Sequence, residues 1–181
     1  TKADIYEIFH ITDEILEGHY QNLLQGKSVV LFFPESSIRT RVTFEKGIAL
    51  LGGQPILFPS SALDKKEDLQ DVVGYLNNWA NLLVVRHRDM AALEKIAASA
   101  SVPVINALTD VNHPCEMVAD LYALSKIRND FTKDHFLFCG VTGNIGLAWK
   151  EASEVMGFSL EQCCIPGYEM DGVPSHKCIG D

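Results

Sequence analysis

Residues 28–41 read SVVLFFPESSIRTR, and this stretch decides the fold. Its first six residues form a short, almost continuous apolar run, which is typical of a strand buried on both faces of a parallel sheet. The polar residues after Phe33 lead into an amphipathic helix that ends at Gly52-Gly53. The stretch therefore predicts one strand–loop–helix unit.

The same alternation continues on both sides of this unit. Further strands are predicted over residues 55–58, 82–85, 102–106, 135–139 and 160–165, and helices over 12–25, 69–76, 90–100, 114–128 and 145–156. Apolar strands that alternate with helices predict an α/β protein with three αβα layers around a central parallel sheet.

The short polar segment around residue 129 is the predicted domain boundary. We expect residues 1–129 to form one α/β domain, while residues 130–181 begin a second. The second series stops soon after its first strand–helix unit, so we expect this second domain to be truncated.

Composition excludes several classes of protein. The 181 residues include 15 Lys and Arg against 24 Asp and Glu, a formal net charge of −9, so binding of nucleic acid or an anionic membrane through the whole surface is not expected. No apolar run approaches the roughly 18–20 residues of a membrane span. Five cysteines without a C-x-x-C pair predict buried thiols in a cytoplasmic protein, with neither a disulfide framework nor a metal site.

Positive charge is nevertheless concentrated in three loops. Six of the 15 basic residues follow three of the predicted strands: Arg39, Arg41, Lys65, Lys66, Arg86 and Arg88. Because the carboxyl ends of parallel strands meet at one edge of the sheet, these loops predict a local site for a small anion.

The first of these loops runs into a helix. Free N–H groups and the positive end of the helix dipole favour an anion there, and hydroxyls on Ser37 and Thr40 add donors. The Arg39 guanidinium can bind two phosphate oxygens at once. The alternative is that Ser37 only caps the helix and the arginines are solvated.

His113 precedes Pro114 and is the predicted N-cap of a second helix. The dipole at this position disfavours a charged imidazole, and a neutral one can donate a hydrogen bond to a carbonyl oxygen that gains charge. Arg86 could stabilise the same oxygen. The alternatives are a histidine that satisfies the local backbone and an arginine in a surface ion pair.

Three glycines, Gly140, Gly143 and Gly146, follow the strand at 135–139. They resemble part of a dinucleotide-binding turn, but their spacing is not G-x-G-x-x-G and no acidic residue ends a following strand. A tight turn accounts for them better than a nicotinamide or flavin cofactor, and no cofactor is expected.

Two motifs resemble those of the aspartate/ornithine carbamoyltransferase family. Residues 37–41 (SIRTR) resemble its S-T-R-T-R phosphate loop, and residues 113–116 (HPCE) resemble its H-P-x-Q box. Cys115 and residues 24–27 (LQGK) favour the ornithine branch. The resemblance extends over about residues 24–124.

The resemblance implies transfer of the carbamoyl group of carbamoyl phosphate to ornithine or a related amino acid, in amino-acid biosynthesis. It assigns catalysis to Arg86, His113 and Thr40. The carbamoyl phosphate contacts that it implies are Ser37, Ile38, Arg39, Thr40, Arg86, His113 and Glu116.

The resemblance also implies an assembly. Ser61 and Lys65 match a loop that reaches into a neighbouring subunit, which implies a homo-oligomer of at least three chains. Asn144 matches an asparagine that contacts the amino-acid substrate.

The phosphate loop and the H-P-x-Q box each depart from the family pattern at one position, and the turn at Val141 lacks the acidic residue common in the family. Ile38 replaces a threonine, and Glu116 replaces a glutamine that can donate as well as accept hydrogen bonds. Three hypotheses therefore stay open: a carbamoyltransferase, a non-catalytic member that binds carbamoyl phosphate or another small phosphate, and an unrelated nucleotide-binding domain that uses the glycine turn.

Overall fold

A computed structural model of the protein describes residues 1–177. Over this range the helices are α1 (Lys2–Leu16), α2 (Ile38–Leu50), α3 (Leu69–Leu76), α4 (Met90–Ser99), α5 (Pro114–Ile127) and α6 (Asn144–Met156). The strands are β1 (Ser28–Phe33), β2 (Gln54–Pro59), β3 (Leu82–Arg86), β4 (Val104–Leu108), β5 (His135–Cys139), β6 (Ser159–Cys164) and β7 (Ser175–Lys177). Cys178 lies outside the described residues.

The chain divides into two compact units, Thr12–Asp110 and Thr1–Ile11 together with the residues from Val111 onward. The first unit holds a four-stranded parallel sheet in the order β2-β1-β3-β4. The second holds a parallel sheet in the order β5-β6-β7. The predicted domain boundary between residues 129 and 130 stays a prediction.

Strand β1 explains why the first unit has three layers. Its side chains alternate between the two faces: Val30 and Phe32 pack in one core cluster with residues of α3 and α4. Val29, Leu31 and Phe33 pack in another cluster with Ile48 of α2. The predicted αβα architecture with a central parallel sheet is confirmed.

The register places the ends of three strands at one edge. Phe33, the last residue of β1, pairs with Pro59, the last residue of β2, and Phe32 pairs with Val85 of β3. The loops after these strands therefore start side by side.

The second unit packs helices α1, α5 and α6 around a core that includes Phe9, Leu121, Met156 and Phe158. Phe9 contacts the ring of Tyr122 edge-on, with 5.6 Å between the ring centroids. Between β5 and β6, Phe136 pairs with Leu160, and both side chains belong to this core.

The predicted first helix is wrong in position. Helix α1 spans Lys2–Leu16 rather than residues 12–25. Gly18 follows with a φ of 88°, and Tyr20 and Asn22 also have positive φ, so residues 17–26 form turns. Strand β4 begins two residues later than predicted, and the short β7 lacks the apolar pattern that would have predicted it.

The cysteines are less uniformly buried than predicted. Cys164 is buried, Cys115 and Cys163 are half-buried, and Cys139 is exposed, which contradicts the expectation for that residue. In the described part of the chain, no helix is long and apolar enough to cross a membrane.

Candidate functional site

Three of the predicted site residues meet in the first unit. Arg86, the last residue of β3, donates from Nη1 to Ser37 Oγ (3.1 Å) and to Thr40 Oγ1 (3.3 Å). Ser37 and Thr40 belong to the loop and helix that follow β1, the neighbouring strand. The edge of the parallel sheet thus brings together residues that are 46 and 49 positions apart in sequence. We call Ser37, Thr40 and Arg86 the hydroxyl–arginine cluster.

Ser37 occupies the N-cap position of α2, but its side chain makes no capping hydrogen bond. The residue is 5% exposed, and its hydroxyl oxygen accepts from Arg86. This contradicts the alternative that Ser37 only caps the helix. A hydroxyl that accepts from a guanidinium still has its own proton to donate, so the cluster offers donors to an anion.

The two arginines of this loop differ in their partners. Arg41 Nε lies 2.6 Å from Glu45 Oε1, one helical turn along α2. Arg39 is exposed and forms no ion pair with any side chain of residues 1–177. The positive charge of Arg39 is therefore not neutralised locally.

Ser61 and Lys65 lie at the same edge of the sheet. Ser61 belongs to a 3-10 turn, Ser60–Asp64, that follows β2, and Lys65 ends this turn. Both residues are exposed.

A histidine that the sequence analysis did not single out anchors this turn. His87 Nδ1 lies 3.1 Å from the Asp89 amide nitrogen and 3.3 Å from the Asp89 carbonyl oxygen. His87 Nε2 lies 2.9 Å from Asp64 Oδ1 and donates to it. The loop after β2 is thereby tied to the loop after β3.

The second unit holds His113 and Glu116. His113 is buried at the N-cap of α5, with Pro114 as the first helical residue, as predicted. Its Nε2 lies 2.8 Å from Oε2 of Glu116, whose side chain is 52% exposed. Glu116, which the resemblance assigns to carbamoyl phosphate, therefore contacts the imidazole of His113. Spacing of i and i+3 on a helix could have predicted this contact.

Helix α5 carries a second carboxylate near this pair. Burial raises the pKa of the Asp120 carboxyl, and repulsion from Glu116 raises it further, while His113 acts in the opposite direction. A small groove lies between α5 and α6, lined by His113, Glu116, Met117, Asp120, Ile145, Ala148 and Trp149. On the same helix, burial raises the pKa of the Cys115 thiol to about 11, so Cys115 stays protonated at neutral pH.

Asn144 is the first residue of α6 and follows the turn over residues 140–143. Gln162, 0% exposed in the middle of β6, holds this turn. Its Nε2 donates to the carbonyl oxygens of Gly140 (2.9 Å) and Tyr168 (3.1 Å), while its Oε1 accepts from the Met170 amide (2.7 Å). Gln162 was not among the predicted site residues, although a polar residue inside a predicted strand is a signal for such a role.

Neither unit assembles a metal site from described residues. Over residues 1–177, no group of three or more His, Cys, Asp or Glu side chains has the arrangement to hold a metal ion.

A model of one protein family, described as the carbamoyl-P binding domain of aspartate/ornithine carbamoyltransferase, matches residues 1–126. The chain belongs to the aspartate/ornithine carbamoyltransferase family. The predicted resemblance is confirmed, and the matched residues contain both the hydroxyl–arginine cluster and the His113–Glu116 pair.

Relatives and solved structures agree with this membership. The chain is 35% identical to an ornithine carbamoyltransferase of Geobacter sulfurreducens, covering 94% of this chain and 58% of the relative. The crystal structure of the anabolic ornithine carbamoyltransferase of Campylobacter jejuni matches with a TM-score of 0.86 at 25% identity, covering 95% of this chain and 57% of that one. An ornithine carbamoyltransferase of Burkholderia thailandensis shares the fold, with a TM-score of 0.87 at 24% identity and coverage of 94% and 61%. The chain spans little more than half the length of these family members.

The departures at Ile38 and Glu116 differ in their structural setting. Ile38 has a side chain that is 72% exposed, and its amide donates to Ser36 O (3.0 Å). A ligand contact through this amide therefore requires that bond to be given up. Glu116, in contrast, makes a direct contact with a residue of the family's H-P-x-Q box.

Proposed function

We propose that this chain binds carbamoyl phosphate and belongs to a carbamoyltransferase that transfers the carbamoyl group to ornithine or a related amino acid. The observation that carries the proposal is the hydrogen bonding of Arg86 to Ser37 and Thr40 at the start of α2. Support also comes from the match of residues 1–126 to the family's carbamoyl-P binding domain. Relatives with about 35% identity are named ornithine carbamoyltransferases.

In this proposal, the phosphate lies at the N-terminus of α2. The hydroxyls of Ser37 and Thr40 donate their protons to phosphate oxygens, while Arg86 fixes the orientation of both hydroxyls. Arg39 adds a guanidinium that can bind two oxygens. The helix dipole and the first-turn amides favour the same negative charge.

The proposed reaction needs charge stabilisation more than covalent chemistry. A neutral amine attacks the carbamoyl carbon, the carbonyl oxygen becomes negative in the tetrahedral intermediate, and phosphate then leaves. The resemblance assigns this oxygen to Arg86, His113 and Thr40, whose donors stabilise the charge as it develops. Positioning of the two substrates supplies much of the remaining rate.

The remaining parts of the proposal concern the amino-acid substrate, the assembly and the domain boundary. We propose that Asn144 contacts the amino-acid substrate and that Ser61 and Lys65 serve the site of a neighbouring subunit in a trimer. A boundary near residue 129 between two ligand-binding domains is supported by the end of the family match at residue 126. A cytoplasmic location and a role in amino-acid biosynthesis and arginine metabolism stay predictions.

One observation favours a second candidate function. Nε2 of His113 is engaged by Glu116, so this nitrogen does not donate to a substrate oxygen while the contact lasts. A non-catalytic member that binds carbamoyl phosphate or another small phosphate has no need to break this contact.

Calorimetry and an activity assay test the proposal together. Carbamoyl phosphate titrated into the chain is expected to bind, and Arg39→Ala is expected to weaken binding by roughly 10- to 100-fold, because a charge-assisted pair contributes about 1.5–3 kcal/mol. Arg41→Ala is the matched control, since Arg41 is engaged by Glu45. Equal losses in both variants would exclude a specific role for Arg39.

Citrulline formation, assayed with carbamoyl phosphate and ornithine, separates the two candidate functions. Turnover with ornithine supports the transferase. Binding of carbamoyl phosphate without turnover of any amine supports the non-catalytic member, and absence of binding contradicts both.

A further inference from the structure

The open face of the second sheet carries two thiols side by side. Cys139 ends β5, and its register partner on the neighbouring strand β6 is Cys163. The next register partner, on β7, is His176. Cys139 and Cys163 thus lie side by side at the carboxyl ends of two parallel strands.

The burial pattern shows that the two thiols share a face. Phe136 pairs with Leu160, and both point into the core of the unit. Because side chains alternate along a strand, Cys139 and Cys163, three residues further along each strand, lie on the opposite face. Cys139 is exposed and Cys163 is half-buried, as this geometry requires.

The spacing of the strands suits a disulfide. Neighbouring strands lie about 4.7–4.9 Å apart, and disulfides join Cα atoms that are about 4.4–6.8 Å apart. A backbone hydrogen bond from the Gly140 amide to Cys163 O (3.0 Å) holds the two strand ends together. A disulfide also needs its Cβ atoms about 3.5–4.5 Å apart, slightly less than the strand spacing, so closure draws the two strand ends together and strains the bond.

We propose that Cys139 and Cys163 form a redox-sensitive dithiol, which closes to an intramolecular disulfide when it meets a small disulfide such as oxidised glutathione. An exposed disulfide across neighbouring strands belongs to the labile kind that small thiols reduce again. The modification is therefore reversible.

The reaction balances as two thiol–disulfide exchanges. The Cys139 thiolate attacks one sulfur of oxidised glutathione, the sulfur–sulfur bond breaks, and one reduced glutathione leaves. The Cys163 thiolate then attacks the Cys139 sulfur of the mixed disulfide and releases the second glutathione. Both protein thiols lose their protons, and two electrons pass from the protein to the glutathione disulfide.

The other described cysteines lack this combination of exposure and a neighbour. Burial raises the pKa of the Cys164 thiol, with a further contribution from Glu169, and Cys164 points to the face opposite to Cys163. Burial likewise raises the pKa of Cys115 to about 11. Since the thiolate is the nucleophile, both residues are expected to react slowly.

The position of the pair suggests what oxidation would change. The disulfide would lie at the base of the turn over residues 140–143, directly before Asn144. Oxidation is therefore expected to restrain this turn and alter the contact of Asn144 with an amino-acid substrate. This consequence rests on the proposed function, whereas formation of the disulfide does not.

The test uses the full chain with Cys178→Ser, which removes the cysteine outside the described residues. After incubation with oxidised glutathione, we expect the intact mass to fall by two hydrogen atoms and two thiols to be lost. Peptide mapping should find Cys139 joined to Cys163, and dithiothreitol should restore both thiols. Cys139→Ser should abolish the cross-link and leave a glutathione adduct on Cys163, whereas Cys115→Ser should form the cross-link as before.

Other outcomes would overturn the proposal. Glutathione adducts that persist on Cys139 or Cys163 without closure would show that the two sulfurs do not meet. Unreacted thiols at both positions would show that the pair does not react with a small disulfide. An equal cross-link yield in the Cys139→Ser variant would show that other cysteines form the bond. Since none of these readouts depends on carbamoyl phosphate, the result is independent of the transferase proposal.

Discussion

The hydroxyl–arginine cluster and the His113–Glu116 pair are built in different ways. Ser37 and Thr40 follow β1, while Arg86 ends β3, and they meet because these neighbouring strands end at one edge of a parallel sheet. His113 and Glu116 come from one turn of one helix. The first arrangement depends on the fold as a whole, whereas the second depends on a single residue choice in a local motif.

This difference predicts how each site responds to change. The hydroxyl–arginine cluster lies within the residues that match the family's carbamoyl-P binding domain, so we expect a substitution there to remove the proposed binding of carbamoyl phosphate. Glu116 is a departure from the family pattern, so a substitution there should alter the function instead.

The largest effect is expected for Arg86→Ala. The variant loses the donor that orients Ser37 and Thr40 as well as one positive charge, so carbamoyl phosphate should bind roughly 10- to 100-fold more weakly, for about 1.5–3 kcal/mol. Calorimetry measures the change. Arg88→Ala, in the same loop, is the control and should bind nearly as well as the unmodified chain. If both variants lose affinity for carbamoyl phosphate equally, Arg86 contributes only its positive charge and not the orientation of the two hydroxyls.

The cluster was predictable from the sequence because it rests on a general rule. The apolar run of β1 and the run at 82–85 predict parallel strands, and the rule that carboxyl ends share an edge brings Ser37 and Arg86 together. The rule does not state which atoms meet. That the Ser37 hydroxyl accepts from Arg86 instead of capping α2 follows from side-chain packing, which no pattern in the sequence encodes.

Other features could not be predicted for physical reasons. Helix α1 begins earlier than predicted because Phe9 gains contacts with Tyr122, far away in sequence. Strand β7 has the sequence SHK and is stabilised by pairing with β6 rather than by apolar side chains. Gln162 interrupts an apolar pattern, and the three backbone groups that satisfy it come from two loops, one after β5 and one between β6 and β7.

A smaller effect is expected for Glu116→Gln. A glutamine still accepts from His113 Nε2, but without a full negative charge the hydrogen bond weakens by about 1 kcal/mol, so His113 is released more easily. Carbamoyl phosphate should then bind about fivefold more tightly, as measured by calorimetry. Glu151→Gln, on α6, is the control for the loss of one carboxylate. Weaker binding in Glu116→Gln would mean that the carboxylate itself contacts the ligand.

The smallest effect is expected for Asp120→Asn, measured as the free energy of unfolding in urea. Because burial and Glu116 raise its folded pKa above the ordinary value of 3.8, Asp120 favours the folded state only while protonated. This contribution is lost as the pH rises through the folded pKa, so at neutral pH the charged carboxylate opposes folding. The variant should be more stable there by less than about 1 kcal/mol, since the group is partly solvated.

The pH dependence and a second background make this prediction specific. Below pH 3.8 the carboxyl is protonated in both folded and unfolded chains, so the advantage of Asp120→Asn should disappear. In the Glu116→Gln background the advantage at neutral pH should shrink, because one source of repulsion is gone. Asp171→Asn, at an exposed carboxylate of the same unit, should show neither behaviour. A gain that persists in acid would show that the charge of Asp120 is not its cause, and a gain that Glu116→Gln leaves unchanged would show that Glu116 does not act on Asp120.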